Sequence, residues 1–185
     1  MLNSAKELFT KIGFEAATTH LIAQNAGISV GGLYAHFPNK EEMFLQIIAD
    51  RDKNAYEVMR SAIDTAVSKN MTPEETVEFL FSSFFSIYRR DIAFNLEVNK
   101  FARFNNQARE IHDYWQDHEA DLLDEWLASV FTESNEDDLK AAVLIVALSA
   151  HEVFQYLYKN QGRVDEEKML KQLIMMVKRF LIPRA

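Results

Sequence analysis

The chain has 185 residues and is 48% apolar, enough to build a substantial core in one domain or in a small module fused to a larger one. Its formal net charge of −8 argues against a protein that coats nucleic acid without regard to sequence, while leaving room for a small local contact surface. Five glycines and three prolines are too few for an all-β chain, and the lack of cysteine removes any disulfide, thiol nucleophile or cysteine-based zinc site.

No run of 18 apolar residues occurs, so no membrane span is expected. The opening MLNSAKELF lacks the basic and apolar regions of a secretion signal. Together with the absence of cysteine, this gives a cytoplasmic localisation as the expectation.

Apolar residues recur at helical spacing almost throughout. Leu2, Ala5, Leu8, Phe9 and Ile12 share one face of a first helix over 1–12, which Gly13 ends. Ser4 and Glu7 have the spacing of a capping box, which would start that helix at Ser4. A second helix is expected over 19–26, capped by Thr18 or Thr19, with Gly27 at the turn that follows. Ser29 is placed to cap a third, short helix that ends near Phe37, because Pro38 disfavours continuation. Asn39 and Glu42 form the next start signal, and no breaker follows until about Ser68, which predicts a rod of about 43 Å. Thr72, Pro73 and Glu75 supply a cap, a proline in the first turn and a glutamate for the capping box, opening a helix expected to reach Arg90. Further helices are expected over 92–103, 106–132, 136–160 (closed by Gly162) and 166–182 (stopped by Pro183). The reading is all-α, about nine helices, with no repeat and no flexible linker.

The first three helices are short and closely joined, and the turn between the second and third contains the glycine of GIS. This is the layout of a helix-turn-helix, whose second helix enters the DNA major groove. Ile22, Ala23, Ile28, Leu33 and Phe37 have the spacing to pack it against the first helix.

At this point the sequence resembles the TetR-type transcriptional repressors. The likeness covers about residues 2–48. It rests on LF at 8–9, GF at 13–14, TT at 18–19, IA at 22–23, AGIS at 26–29, G.LY.HF from Gly31 to Phe37 and NKEEMF at 39–44. It implies a helix-turn-helix DNA-binding domain over 1–46 and a helical ligand-binding and dimerisation domain over 47–185. It further implies a homodimer that binds a palindromic operator on double-stranded DNA and is released by a small-molecule effector.

The resemblance also implies contact residues. Thr19 would cap the second helix and touch a phosphate, and His20 would reach the same backbone. Ser29 and the amide of Gly31 would meet phosphate or base edges at the positive end of the recognition helix. Tyr34, His36 and Lys40 resemble phosphate contacts. Val30 and Gly32 occupy positions where many members carry a longer or polar side chain. Here Val30, Gly32 and Ala35 cannot hydrogen-bond to bases through their side chains, so Val30 or Ala35 is left to touch a thymine methyl. Residues 1–50 hold three lysines against five acids, and the first helix begins at or beside Met1, so the basic arm that often precedes it in the family is not expected. The adjacent glycines then differ. Gly31 suits a close backbone approach to DNA, whereas Gly32 removes a reading side chain.

Beyond the helix-turn-helix, aromatics are dense from 79 to 126, and Phe81, Phe84, Phe85 and Tyr88 lie on one helical face. Most belong to the core by pattern. A pocket for an apolar or aromatic effector is expected to draw on Phe84, Tyr88, Phe101, Phe104, Trp115, His118, His151, Phe154 and Tyr158. The segment AAVLIVALSA at 141–150 is apolar all round, which implies that one face meets the core and another a partner subunit. With the wide apolar stripe of 166–182, it predicts a two-fold homodimer through helices 136–160 and 166–182.

No catalytic, metal or cofactor site is expected. His112 and His118 are about 240° apart around a helix and do not converge. His118, Asp121 and Glu125 share a face that reads as an acidic helix surface. Neither HE pair, at 118–119 or 151–152, has the second histidine of a zinc protease. Two alternatives stand beside the regulator: a helical ligand-binding dimer with decayed DNA binding, and an enzyme acting on an apolar substrate.

Overall fold

The computed structural model describes residues 1–130, 136–160 and 162–182, and within them the side chains of all but Val130, Glu136, Asp137, Leu139 and Tyr158. The expected stop at Pro183 therefore lies outside the described residues, as does the end of the helix expected to run to 132. The described residues form eight helices and no strand. In chain order they are α1 (Leu2–Ile12), α2 (Thr19–Asn25), α3 (Val30–Tyr34), α4 (Lys40–Ser68), α5 (Pro73–Ala102), α6 (Asn106–Val130), α7 (Glu136–Lys159) and α8 (Glu166–Leu181). Eight replace the expected nine because 73–90 and 92–103 are one helix, α5. No glycine or proline separates them, so nothing breaks the backbone ladder at Arg90 or Asp91.

Start signals are mostly met as side-chain hydrogen bonds. Thr72 and Glu75 form a reciprocal capping box: the Thr72 amide donates to Glu75 Oε2 at 2.8 Å and the Glu75 amide to Thr72 Oγ1 at 3.2 Å. Asn39 Oδ1 accepts from the Glu42 amide at 2.8 Å at the start of α4, and Asp165 Oδ1 accepts from the Lys168 amide at 2.9 Å at the start of α8. Thr18, not Thr19, caps α2, accepting from the Leu21 amide. α1 begins at Leu2 and not at Ser4, because the Ala5 amide already bonds to the Met1 carbonyl at 3.0 Å. Gly13 ends α1 at a φ of +83°, a left-handed conformation that a side chain would strain.

The chain divides into two compact units. The first comprises Met1–Asn54 and Asp91–Trp115, the second Ala55–Arg90 and Gln116–Ala185. Thus α4, α5 and α6 each contribute a segment to both.

In the first unit the core is aromatic. Phe44, fully buried on α4, has its ring centroid 4.9 Å from Phe9, 5.0 Å from Phe14, 5.4 Å from Phe94 and 4.7 Å from Phe101. Ile22, Ala23 and Leu33 are buried around it as expected, and Phe37 packs at its edge. Ile28 is instead 38% exposed. It sits in the turn between Gly27 and the capping Ser29, held by its backbone amide on the Ala23 carbonyl and not by its side chain. One charged side chain is buried among the described residues, Asp52. It accepts from Arg51 Nε at 2.6 Å and pairs with His112 Nδ1 at 3.2 Å, while Arg51 Nη1 donates to Asn95 Oδ1 at 3.0 Å. This polar group ties α4, α5 and α6 together within the first unit.

The second unit packs Met59, Val77, Leu80, Trp126, Leu127, Val143, Val146, Phe154, Leu173 and Val177 together, with Phe81, Phe84, Phe85 and Tyr88 at the edge of that core. Lys178 of α8 donates to Glu78 of α5 at 2.6 Å, and this hydrogen bond holds the Glu78 carboxyl below its ordinary pKa. On α7, Val143 and Val146 are buried while Leu144, Ile145 and Leu148 are exposed; on α8, Leu173, Ile174 and Val177 are buried while Met176 and Phe180 are exposed. The stretch Lys140–Leu157 is long and apolar enough by average composition to cross a membrane, although it contains no unbroken apolar run of that length.

Phe44→Ala removes the ring that four others touch. We expect it to lower the stability of the chain by about 3–5 kcal/mol, read as a lower urea midpoint at unchanged helical signal before unfolding.

Candidate nucleic-acid interface and effector site

α2 and α3 are set by their caps. Ser29 Oγ accepts from the Gly32 amide at 3.0 Å, and Gly27, at a φ of +65°, turns the chain between the two helices. The short α3 is anchored by buried Leu33, and half-buried Val30 packs against the same core.

Of the contact residues expected from the sequence, Thr19 and Tyr34 are the pair joined directly across the two helices, and Val30 and Gly32 are half-buried. Thr19 Oγ1 and the Tyr34 hydroxyl share a hydrogen bond of 3.2 Å across α2 and α3. Whichever of them donates, one hydroxyl proton remains to point outward. Tyr34 is 50% exposed, and His20, Ser29, Gly31 and His36 are exposed with it. Thr19 occupies the first turn of α2 without being its cap. Lys40 is engaged within the chain. Its ammonium donates to the carbonyls of Phe14 at 2.8 Å and Glu15 at 3.2 Å, and it lies 4.4 Å from the centre of the Phe14 ring.

The paired glycines differ in space as well as in position. A Cβ built on Gly31 would meet only Ser29 Oγ, at 4.0 Å, so nothing within the chain requires glycine there. A Cβ on Gly32 would press on the same oxygen at 3.2 Å, crowding the cap itself.

The expected effector residues separate into groups. Tyr88, His151 and Phe154 come together in the second unit, with Tyr88 centred 5.1 Å from Phe154 and 6.5 Å from His151; Phe85 joins them 5.2 Å from Phe154. Phe84 packs against the same core, and His151 Nε2 is 2.7 Å from Gln155 Nε2. His118 stands edge-on to Tyr56, centred 6.2 Å away. Phe101 belongs elsewhere: its ring fills the core of the first unit between Phe14 and Phe44. Trp115 is a first-unit residue packed edge-on against Tyr114. Phe104, in the turn between α5 and α6, is 93% exposed and lines nothing in this structure. The Tyr158 side chain lies outside the description. Phe85 and Gln155 were missed by the sequence reading, although Phe85 shares the helical face of Phe84 and Tyr88. Among the described residues no three histidine or acidic side chains converge to hold a metal.

The second and third helices of this all-α chain form a capped helix-turn-helix. Residues 1–47, about a quarter of the chain, match the family model of the bacterial regulatory proteins, tetR family. The chain is 48% identical over 48 residues to the HTH-type transcriptional regulator QacR of Staphylococcus aureus, a match that spans 26% of each chain, so only about a quarter of that relative's length is represented. The fold extends further. A transcriptional regulator FadR from Bacillus subtilis, solved in complex with stearoyl-CoA, superposes with a TM-score of 0.79 at 18% identity over 97% of this chain and 96% of its own. A transcriptional regulator from Saccharomonospora viridis, solved with choline, gives 0.79 at 15% identity over 96% and 93%. At such identities the likeness is one of fold.

Since only Gly32 crowds its cap, Gly31→Ala should raise the stability of the free chain by about 0.5–1 kcal/mol through helix propensity and reduced unfolded-state freedom. Gly32→Ala should gain clearly less. Equal gains in paired urea titrations would contradict the crowding at Ser29.

Proposed function

We propose that the protein is a cytoplasmic, homodimeric, effector-responsive transcriptional regulator that represses from a palindromic operator. The observation that carries this reading is the Thr19–Tyr34 hydroxyl pair, exposed beside the Ser29 cap of a helix-turn-helix. Neutral hydroxyls and backbone amides at helix starts are donors suited to phosphate oxygens. His20 and His36 add flanking contacts, the Gly31 amide approaches the DNA closely, and Val30 and Gly32 lie on the groove side of α3.

The dimer forms through the exposed apolar faces of α7 and α8. Leu148, 59% exposed, and Phe180 would otherwise stand in water in a chain this apolar. Two such helices from each subunit make a four-helix interface, and a two-fold dimer offers two recognition helices about 34–36 Å apart to a palindrome.

The effector is a small, largely apolar or aromatic molecule bound in the second unit among Phe84, Tyr88, Phe154 and His151, with His118 as a further contact. The stearoyl-CoA held by the Bacillus subtilis FadR and the choline held by the Saccharomonospora viridis regulator suggest two ligand chemistries to test, a long acyl chain and an alkylammonium. Binding there biases α4, α5 and α6, which belong to both units, and shifts the population away from the DNA-competent form. By linkage, DNA in turn weakens effector binding.

Selection of duplexes from a random library, followed by gel shifts across salt concentrations, should return a palindrome bound as a dimer. Enrichment of no sequence at low salt would sink the operator reading in favour of a ligand-binding dimer. Separately, Leu148→Glu should convert the dimer to monomer in sedimentation and lower operator affinity at least tenfold, because a charge buried in the interface has no partner.

A further inference from the structure

We propose that Lys40 is a positioning residue for operator binding, bracing the turn between α1 and α2 instead of neutralising a DNA phosphate. The inference rests on the operator reading above and changes the role of the one lysine at the head of α4.

The geometry accounts for the ammonium almost fully. Two of its three protons meet the Phe14 and Glu15 carbonyls at 2.8 and 3.2 Å, and its charge lies 4.4 Å from the centre of the Phe14 ring. Those carbonyls lie in the turn just after α1 and Gly13. Leaving them for a phosphate would strip two carbonyls and a ring face of their partner at once.

Both ends of this contact are fixed. Lys40 opens α4 immediately after Asn39, which caps the helix through the Glu42 amide at 2.8 Å. Phe14 is gripped from the other side: its amide donates to Glu97 Oε2 of α5 at 3.3 Å, and Lys100 holds the other Glu97 oxygen at 2.5 Å. The Phe14 ring is wedged against Phe9, Phe44 and Phe101. The clamped turn leads straight to Thr18 and Thr19, which start α2. Lys40 thereby sets where the Thr19–Tyr34 pair stands relative to α4, without touching DNA itself.

The two roles differ in counterion release. A phosphate neutralised by a lysine adds about 0.9 to the slope of log affinity against log salt, whereas a brace adds nothing. With the selected operator duplex and the full-length dimer, Lys40→Met should lose about tenfold in affinity at every salt concentration, with the slope unchanged, and should melt roughly 5 °C lower without DNA. Lys40→Arg, which can still reach both carbonyls and the ring, should restore affinity and melting temperature together. A slope reduced by about 0.9 per protomer with an unchanged melting temperature would overturn the brace, as would unchanged affinity. On the wild-type chain, the ¹⁵N ammonium signal of Lys40 should be protected from exchange without DNA and keep its position when operator is added; a large displacement on adding operator also overturns the proposal. If the wild-type chain binds no duplex at any salt, the operator reading itself fails, and the positioning role falls with it.

Discussion

The first unit depends on the burial of one ring. Phe44 sits in the opening turns of α4, in a stretch where Met43, Leu45, Ile47 and Ile48 are also buried. Four aromatic rings converge on it from α1, the turn after α1, and two levels of α5. Tilted and edge-on pairs of this kind add attraction beyond the area they bury. The consequence is topological. Phe94 and Phe101 complete the core, so the helix-turn-helix packs as a unit with residues 91–115 and not as residues 1–47 alone. The segment that matches the family model is shorter than the segment that packs.

Polar groups follow the same division of labour. Lys6 of α1 meets Asp91 of α5 at 2.6 Å and lies 5.2 Å from the centre of the Phe94 ring. Glu97 holds the Phe14 amide, and Asp52 gathers Arg51 and His112 beside Asn95. A buried carboxylate with several partners tolerates no single deletion well, because each partner left behind retains its desolvation cost. These contacts occupy Lys6, Lys40 and Arg51, three of the five cations in residues 1–54. The remaining two, Lys11 and Lys53, are exposed. Charge in this unit mainly holds helices together.

Local chemistry explains which features were legible in the sequence. The capping box at Thr72, the Asn39 cap and the Ser29 cap involve residues three apart, and such signals survive without tertiary information. The two-faced character of 141–150 was likewise readable, since an all-apolar helix in a chain of this size needs two apolar neighbours. Misreadings arose where partners are distant in sequence. Phe101 resembles its aromatic neighbours locally, and only the fold assigns it to Phe14 and Phe44. Spacing could not reveal the partner of His112, which is Asp52 on another helix. The contacts of Lys40 within the chain were equally out of reach, since they are to carbonyls 25 and 26 residues earlier. The two helices expected over 73–90 and 92–103 are one, because a stretch with no glycine or proline has nothing to break it.

If the proposed DNA-binding face is built from hydroxyls, amides and histidines, with its nearest lysine turned inward, this has a consequence for how an operator would be chosen. Counterion release supplies most of the non-specific affinity of DNA-binding proteins, so a face poor in free cations binds random duplex weakly. Yet Val30, Gly32 and Ala35 carry no side-chain donors or acceptors for base edges, which removes the usual means of direct readout. The discrimination left to such a face lies in fit. In the proposed complex the bare backbone at Gly31 and Gly32 would follow the phosphate path closely, and sequences that hold the groove at the required width would cost less to bind. A chain of net charge −8 can then remain selective on DNA without being strongly attracted to it.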